Sequence, residues 1–148
     1  LGALLADGLA AGDVISLSGP LGAGKSALAR AIIISANPNE TDIPSPTFSL
    51  VQTYELADRT PLWHLDLYRI ESPNDAMQLG LDDAFVDAVC LIEWPDRLEQ
   101  FLPKSTLSVH LCQADGDPLD DAVGIRLAKI TAPSHWAERL QGIIVKYS

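Results

Sequence analysis

The chain has 148 residues, with 10 Lys and Arg against 20 Asp and Glu, for a formal net charge of −10. That length suits one domain, 1–148, with a real core, and an apolar fraction of 47% is ordinary for a soluble globule. No apolar run approaches the roughly 20 residues of a membrane span, and an acidic chain with scattered cations is repelled by bare nucleic acid, which disfavours direct, stable nucleic-acid binding by this chain alone.

The opening "LGALLADGLAAGD" predicts an amphipathic helix. Asp7 and the lack of a basic leading segment make it a poor signal peptide. No methionine opens the chain, so some residues are expected to precede Leu1. Cys90 and Cys112 lie far apart in apolar runs and predict buried, reduced thiols, as expected of a cytoplasmic protein. His64, His110 and His135 show no metal-ligand spacing, and structural roles are expected for them.

Next comes "VISLSGPLGAGKSALAR". Val14, Ile15 and Leu17 predict a buried strand over 14–18, and Ala27, Leu28, Ala29, Ala31 and Ile32 predict a helix over 25–35. Between them Gly19, Gly22, Gly24, Lys25 and Ser26 complete G-x-x-x-x-G-K-[ST]. Glycines let the backbone approach a ligand closely. Successive N–H groups then form a concave anion site at the positive end of the helix. Lys25 supplies a mobile charge, expected to be exposed at the loop, and Ser26 a hard oxygen for Mg2+. Chance supplies this pattern in roughly 0.5% of chains this long, and the strand–loop–helix order is the one the motif demands. ATP and Mg2+ are therefore expected at Gly19, Leu21, Gly22, Ala23, Gly24, Lys25, Ser26 and Ala27.

A proline-bearing loop, "NPNETDIPSP", precedes an alternating strand over 47–56. "PLWHLDL" predicts a second strand, closing on Asp66. Ser72 and Pro73 signal the start of a helix through "SPNDAMQLGLDDAF". "AVCLIE" is a nearly all-apolar run, the signature of a buried central strand, and it ends on Glu93. "PDRLEQFL" predicts a short helix, 105–113 and 122–131 a hairpin, and 133 onward a final helix. The acidic turn "ADGDPLDD" is no calcium loop, because Leu119 and a missing downstream Glu break the pattern. The whole predicts a three-layer α/β domain of the P-loop NTPase type, with a mixed, centrally parallel sheet.

Phosphoryl transfer also needs acids near the metal and a group that orients water. Glu93 follows the most apolar strand, expected beside the P-loop strand, and takes the strand-end metal role. Asp66 takes a supporting role near the metal. On residues alone "SPTFSL" reads as a proline-rich turn, and a nucleotide-reading role for Thr47 is only weakly suggested. A P-loop small-molecule kinase stays open as an alternative, although the longest candidate lid, "ELADRTP", offers only Arg59. So does a nucleotide-dependent binding module. No N-K-x-D appears to support guanine.

Taken in order, "GPLGAGKS", "SPTF", "HLDLYR" and "IEWPDR" resemble the TsaE family, formerly called YjeE. Its members are small bacterial P-loop ATPases needed to make threonylcarbamoyladenosine on tRNA. The resemblance runs from "GDVISLSG" to at least Pro103. It implies that Lys25 binds phosphates and Ser26 ligates Mg2+. It places Thr47 in a switch-like loop facing the γ-phosphate, and makes Asp66 and Glu93 the essential acids near metal and water. Trp94 would lie beside the site, with Tyr68 and Arg69 facing a partner. The implied partners are TsaD and TsaB, with tRNA met through that complex. Pro20 stands where an acidic or polar residue is common and Ser26 where Thr is more usual; neither removes a needed group.

Overall fold

The apolar runs pair into one sheet. A computed structural model describes residues 1–40, 42–44, 50–113 and 126–147. Its strands are β1 (Val14–Ser18), β2 (Val51–Glu55), β3 (Pro61–Asp66), β4 (Val89–Glu93), β5 (Leu107–Gln113) and β6 (Arg126–Thr131). Its helices are α1 (Gly2–Ala6), α2 (Lys25–Ala36), α3 (Pro73–Met77), α4 (Leu81–Asp87) and α5 (Ser134–Tyr147), and a 3-10 segment covers Pro95–Phe101. The strand order is β2-β3-β4-β1-β5-β6. β3, β4, β1 and β5 run parallel, and β2 and β6 flank them antiparallel. This is the mixed, centrally parallel sheet expected, with β4 beside β1.

Alternation along the strands divides the core in two. Ile15, Leu17, Leu62, Leu91 and Val109 share one cluster with Leu5, Ile32, Ile33 and Trp136, so α1, α2 and α5 cover that face. Val14, Leu65, Cys90 and Ile92 share the other with Ala76, Leu81, Ala84 and Leu98, from α3, α4 and the 3-10 segment. The result is three layers. β4 is buried along its whole length, as a central parallel strand should be.

Several expectations shorten. The first helix stops at Ala6, because Asp7 turns to extended backbone and Gly8 follows with φ +73°. The helix expected through 73–85 breaks in two: α3 stops at Met77 with Gln78 as its cap, and Gly80, with φ +93°, caps the start of α4. "PDRLEQFL" forms a 3-10 segment with Glu99 at φ 49° inside it. The strand expected from 47 is described from Val51; all of "SPTF", Thr47 included, and the acidic turn lie outside the described residues. Cys90 is buried, which pushes its thiol up to about 12, and Cys112 is half-buried; both are free. No described helix is long and apolar enough to cross a membrane.

α5 is fastened by Arg139. Its guanidinium donates to both Asp13 oxygens at 2.9 and 3.0 Å and to the Gly8 carbonyl at 2.8 Å, and lies 4.1 Å from the Trp136 ring centroid. Both carboxylate contacts come from one nitrogen, Nη1, a charge-assisted pair that partial exposure screens. Arg139→Ala is expected to lower unfolding free energy by about 1–2 kcal/mol, read from urea denaturation. An unchanged midpoint would contradict this role for Arg139.

Candidate functional site

The C-terminal ends of β1, β3 and β4 lie side by side, the edge where open α/β sheets bind ligands. β1 leads into the glycine-rich loop. Gly19 has φ +139°, and a Cβ there would collide with the Leu111 carbonyl oxygen on β5, so only glycine fits. Gly24 caps α2 and has no side chain to satisfy the first-turn amides. Those amides therefore remain available to an anion.

Lys25 opens α2 and is 6% exposed, not the exposed loop residue expected. Its Nζ donates to the Gly19 and Pro20 carbonyls at 2.7 and 2.9 Å and lies 4.5 Å from the Trp94 ring centroid. The loop folds its lysine back on itself, and an aromatic face closes over it. Burial draws the Lys25 pKa below the ordinary lysine range, and the charges of Glu93 and Asp66 pull it part of the way back.

Glu93 ends β4 at 2% exposure. Ser26 Oγ donates to its Oε1 at 2.8 Å, and His64 Nε2 meets its Oε2 at 2.8 Å. Asp66 ends β3 at 7% exposure, in register with Glu93. Its Oδ1 accepts from the Tyr68 amide at 3.0 Å. Two carboxylates thus sit abreast on neighbouring parallel strands, an arrangement that favours a cation between or above them. Trp94, just past Glu93, adopts φ 59° and ψ 56°. Its ring packs on Tyr68, with centroids 4.9 Å apart.

These groups surround a cavity of about 420 Å3, within the range of small-ligand sites. Leu21, Gly22, Gly24, Lys25, Ser26, Ala27, Asp66 and Glu93 line it, as do Trp94, Tyr68, Arg30 and Arg69. Gly19 contributes its carbonyl to Lys25 instead, and Ala23 is buried in the core. Among the described residues no three His, Cys, Asp or Glu side chains group as a self-sufficient metal site. The hard oxygens of Ser26, Glu93 and Asp66 suit Mg2+, which takes most of its ligands from phosphates and water.

His64, for which a structural role is expected, is fully buried and bonds Glu93. Its signal was a polar residue two positions before Asp66, which puts both on one strand face, but its partner lies on another strand.

A family model, Threonylcarbamoyl adenosine biosynthesis protein TsaE, matches residues 1–119. The chain belongs to the TsaE family. It is 40% identical over 111 residues to the tRNA threonylcarbamoyladenosine biosynthesis protein TsaE of Rickettsia felis, a match covering 75% of this chain and 64% of that protein. The chain thus spans less than two thirds of that relative's length. The protein of the same name from Streptomyces coelicolor is 37% identical over 123 residues, 82% of each chain. The crystal structure of Bacillus subtilis YdiB superposes with a TM-score of 0.76 at 27% identity, covering 99% of this chain and 86% of that one.

In this TsaE-family chain the lowered Lys25 pKa has a stability consequence. The unfolded chain holds that proton more tightly than the folded one, so folding gains stability as pH rises toward the ordinary lysine value. Urea midpoints measured at neutral and alkaline pH should show this gain in the parent relative to Lys25→Met. Equal pH slopes for the two proteins would refute it.

Proposed function

We propose that this chain binds ATP with Mg2+ in the glycine-rich cradle, hydrolyses it, and thereby serves threonylcarbamoyladenosine modification of tRNA together with TsaD and TsaB. The observation that carries the reading is the 2.8 Å bond from Ser26 Oγ to Glu93 Oε1, which joins the end of the cradle to the end of β4. In P-loop NTPases a P-loop hydroxyl and a strand-end acid together hold the Mg2+ of a bound nucleotide, which supports the reading. The names of the relatives supply the tRNA context.

In this reading Lys25 leaves the Gly19 and Pro20 carbonyls to meet the outer phosphates. The first-turn amides of α2 hold the inner ones. Ser26, Glu93 and Asp66 face the Mg2+ site, where a bound ion neutralises charge on the transferring phosphoryl group. Glu93 takes the strand-end role and Asp66 supports it. Thr47 reads the γ-phosphate. A net charge of −10 suits a protein that leaves tRNA to its partners. Turnover by the lone chain is slow in this reading, since the two arginines lining the cavity, Arg30 and Arg69, are both exposed rather than held against a phosphate site. An arginine finger is worth about 10³–10⁵ in rate.

Two variants test this. Lys25→Ala should weaken ATP binding by at least tenfold, about 1.4 kcal/mol, by calorimetry with Mg2+. Glu93→Gln should keep metal-free ATP affinity within a few-fold yet lose about 100-fold or more in single-turnover hydrolysis. Parent hydrolysis by Glu93→Gln would move the assignment to Asp66. Turnover should lie below about 1 s⁻¹ for the chain alone and rise with TsaD and TsaB. Phosphate transfer to a small acceptor would instead make the protein a kinase.

A further inference from the structure

His64 is fully buried on β3, and its Nε2 lies 2.8 Å from Glu93 Oε2. The other ring nitrogen, Nδ1, is also buried and has no hydrogen-bond partner among the described residues. This pattern assigns the ring proton to Nε2. An N–H at Nδ1 would be an unsatisfied buried donor, whereas a lone pair there leaves Nε2–H to donate to the carboxylate.

An orphaned nitrogen in the middle of a sheet is costly, and packing does not require it. Leu62 lies two residues earlier on the same strand and the same face and fills its place with carbon alone. An apolar residue at 64 would do the same beside its register partner Leu91. What histidine adds is one N–H aimed at Glu93.

A glutamate carboxylate turns easily about its last torsion. Glu93 is held at both oxygens, by Ser26 on Oε1 and by His64 on Oε2. The Ser26 hydroxyl itself rotates, and it is the group that must release Glu93 when a ligand enters the cradle. The His64 ring is locked in the core and does not share that freedom. We propose that His64 is a positioning residue, whose Nε2–H fixes the Glu93 carboxylate so that Oε1 stays directed at Ser26 and the Mg2+ site. Partners of this outer kind are worth about 10–100-fold in metal affinity or activity where they have been removed. The inference rests on the reading of Glu93 as the acid that serves the nucleotide's metal.

The test measures binding of a fluorescent ATP analogue with and without Mg2+, together with single-turnover hydrolysis and thermal unfolding. The variants are His64→Leu, His64→Gln, His64→Asn and Glu93→Gln. His64→Leu should bind metal-free nucleotide within about threefold of the parent and lose about 10–100-fold of the affinity that Mg2+ adds. A glutamine amide reaches as far as Nε2 and should restore most of that gain. An asparagine amide reaches only as far as Nδ1 and should not. A folded His64→Leu with the full Mg2+ gain overturns the proposal. Should His64→Leu fail to fold, the comparison of glutamine with asparagine decides, and equal Mg2+ gains in those two overturn it. Glu93→Gln separates the two ideas. Parent hydrolysis in that variant overturns the reading of Glu93, whereas lost hydrolysis there with an intact His64→Leu overturns only the role of His64.

Discussion

A carboxylate at 2% exposure in the centre of a sheet is tolerable only when its oxygens are hydrogen-bonded and positive charge is near. Glu93 meets both conditions, and the rest of the fold is arranged around meeting them. β4 lies between β1 and β3. β1 delivers Ser26 through the glycine-rich loop and α2, and β3 delivers His64 and Asp66. The register pairs Leu17 and Asp66 with Glu93 on either side. A slip of one residue would turn Glu93 to the opposite face, among Ile92, Leu65 and Leu98, where no partner awaits it. The two hydrophobic clusters thus do more than bury area, since their alternation along β3 and β4 sets which face receives the acids.

The glycine-rich loop holds its own lysine. The Gly19 and Pro20 carbonyls and the Trp94 ring satisfy an ammonium that burial disfavours. A phosphate offers that ammonium a full negative charge instead of two carbonyl dipoles, so exchange is favoured once an anion arrives. Trp94 is held in left-handed backbone between the buried Glu93 and Pro95, which re-enters a helical turn. Strained non-glycine residues of this kind persist where surrounding structure determines them, and here Lys25 and Tyr68 do so.

Much of this was legible in the chain because it rests on local signals. The motif from Gly19 to Ser26 announced the cradle, and the unbroken apolar run before Glu93 announced a central strand ending in an acid. The β5–β6 pair followed from two alternating runs. What escaped depended on partners remote in sequence. The burial of Lys25 needs Trp94 from the far side of β4, and the grip of His64 on Glu93 needs the β3–β4 register. The break at Gly80 escaped for another reason, since a glycine within a helical pattern is tolerated often enough that only the backbone angle reveals a cap.

The central claim is that Lys25, Ser26 and Glu93 form one device that exchanges internal bonds for a metal-bound phosphate. A crystal structure with Mg2+ and a non-hydrolysable ATP analogue tests it most directly. The account predicts that Lys25 Nζ will have left the Gly19 and Pro20 carbonyls for phosphate oxygens, and that Mg2+ will stand between Ser26 Oγ and Glu93 in place of their direct hydrogen bond. Nucleotide bound with those three contacts unchanged would contradict it.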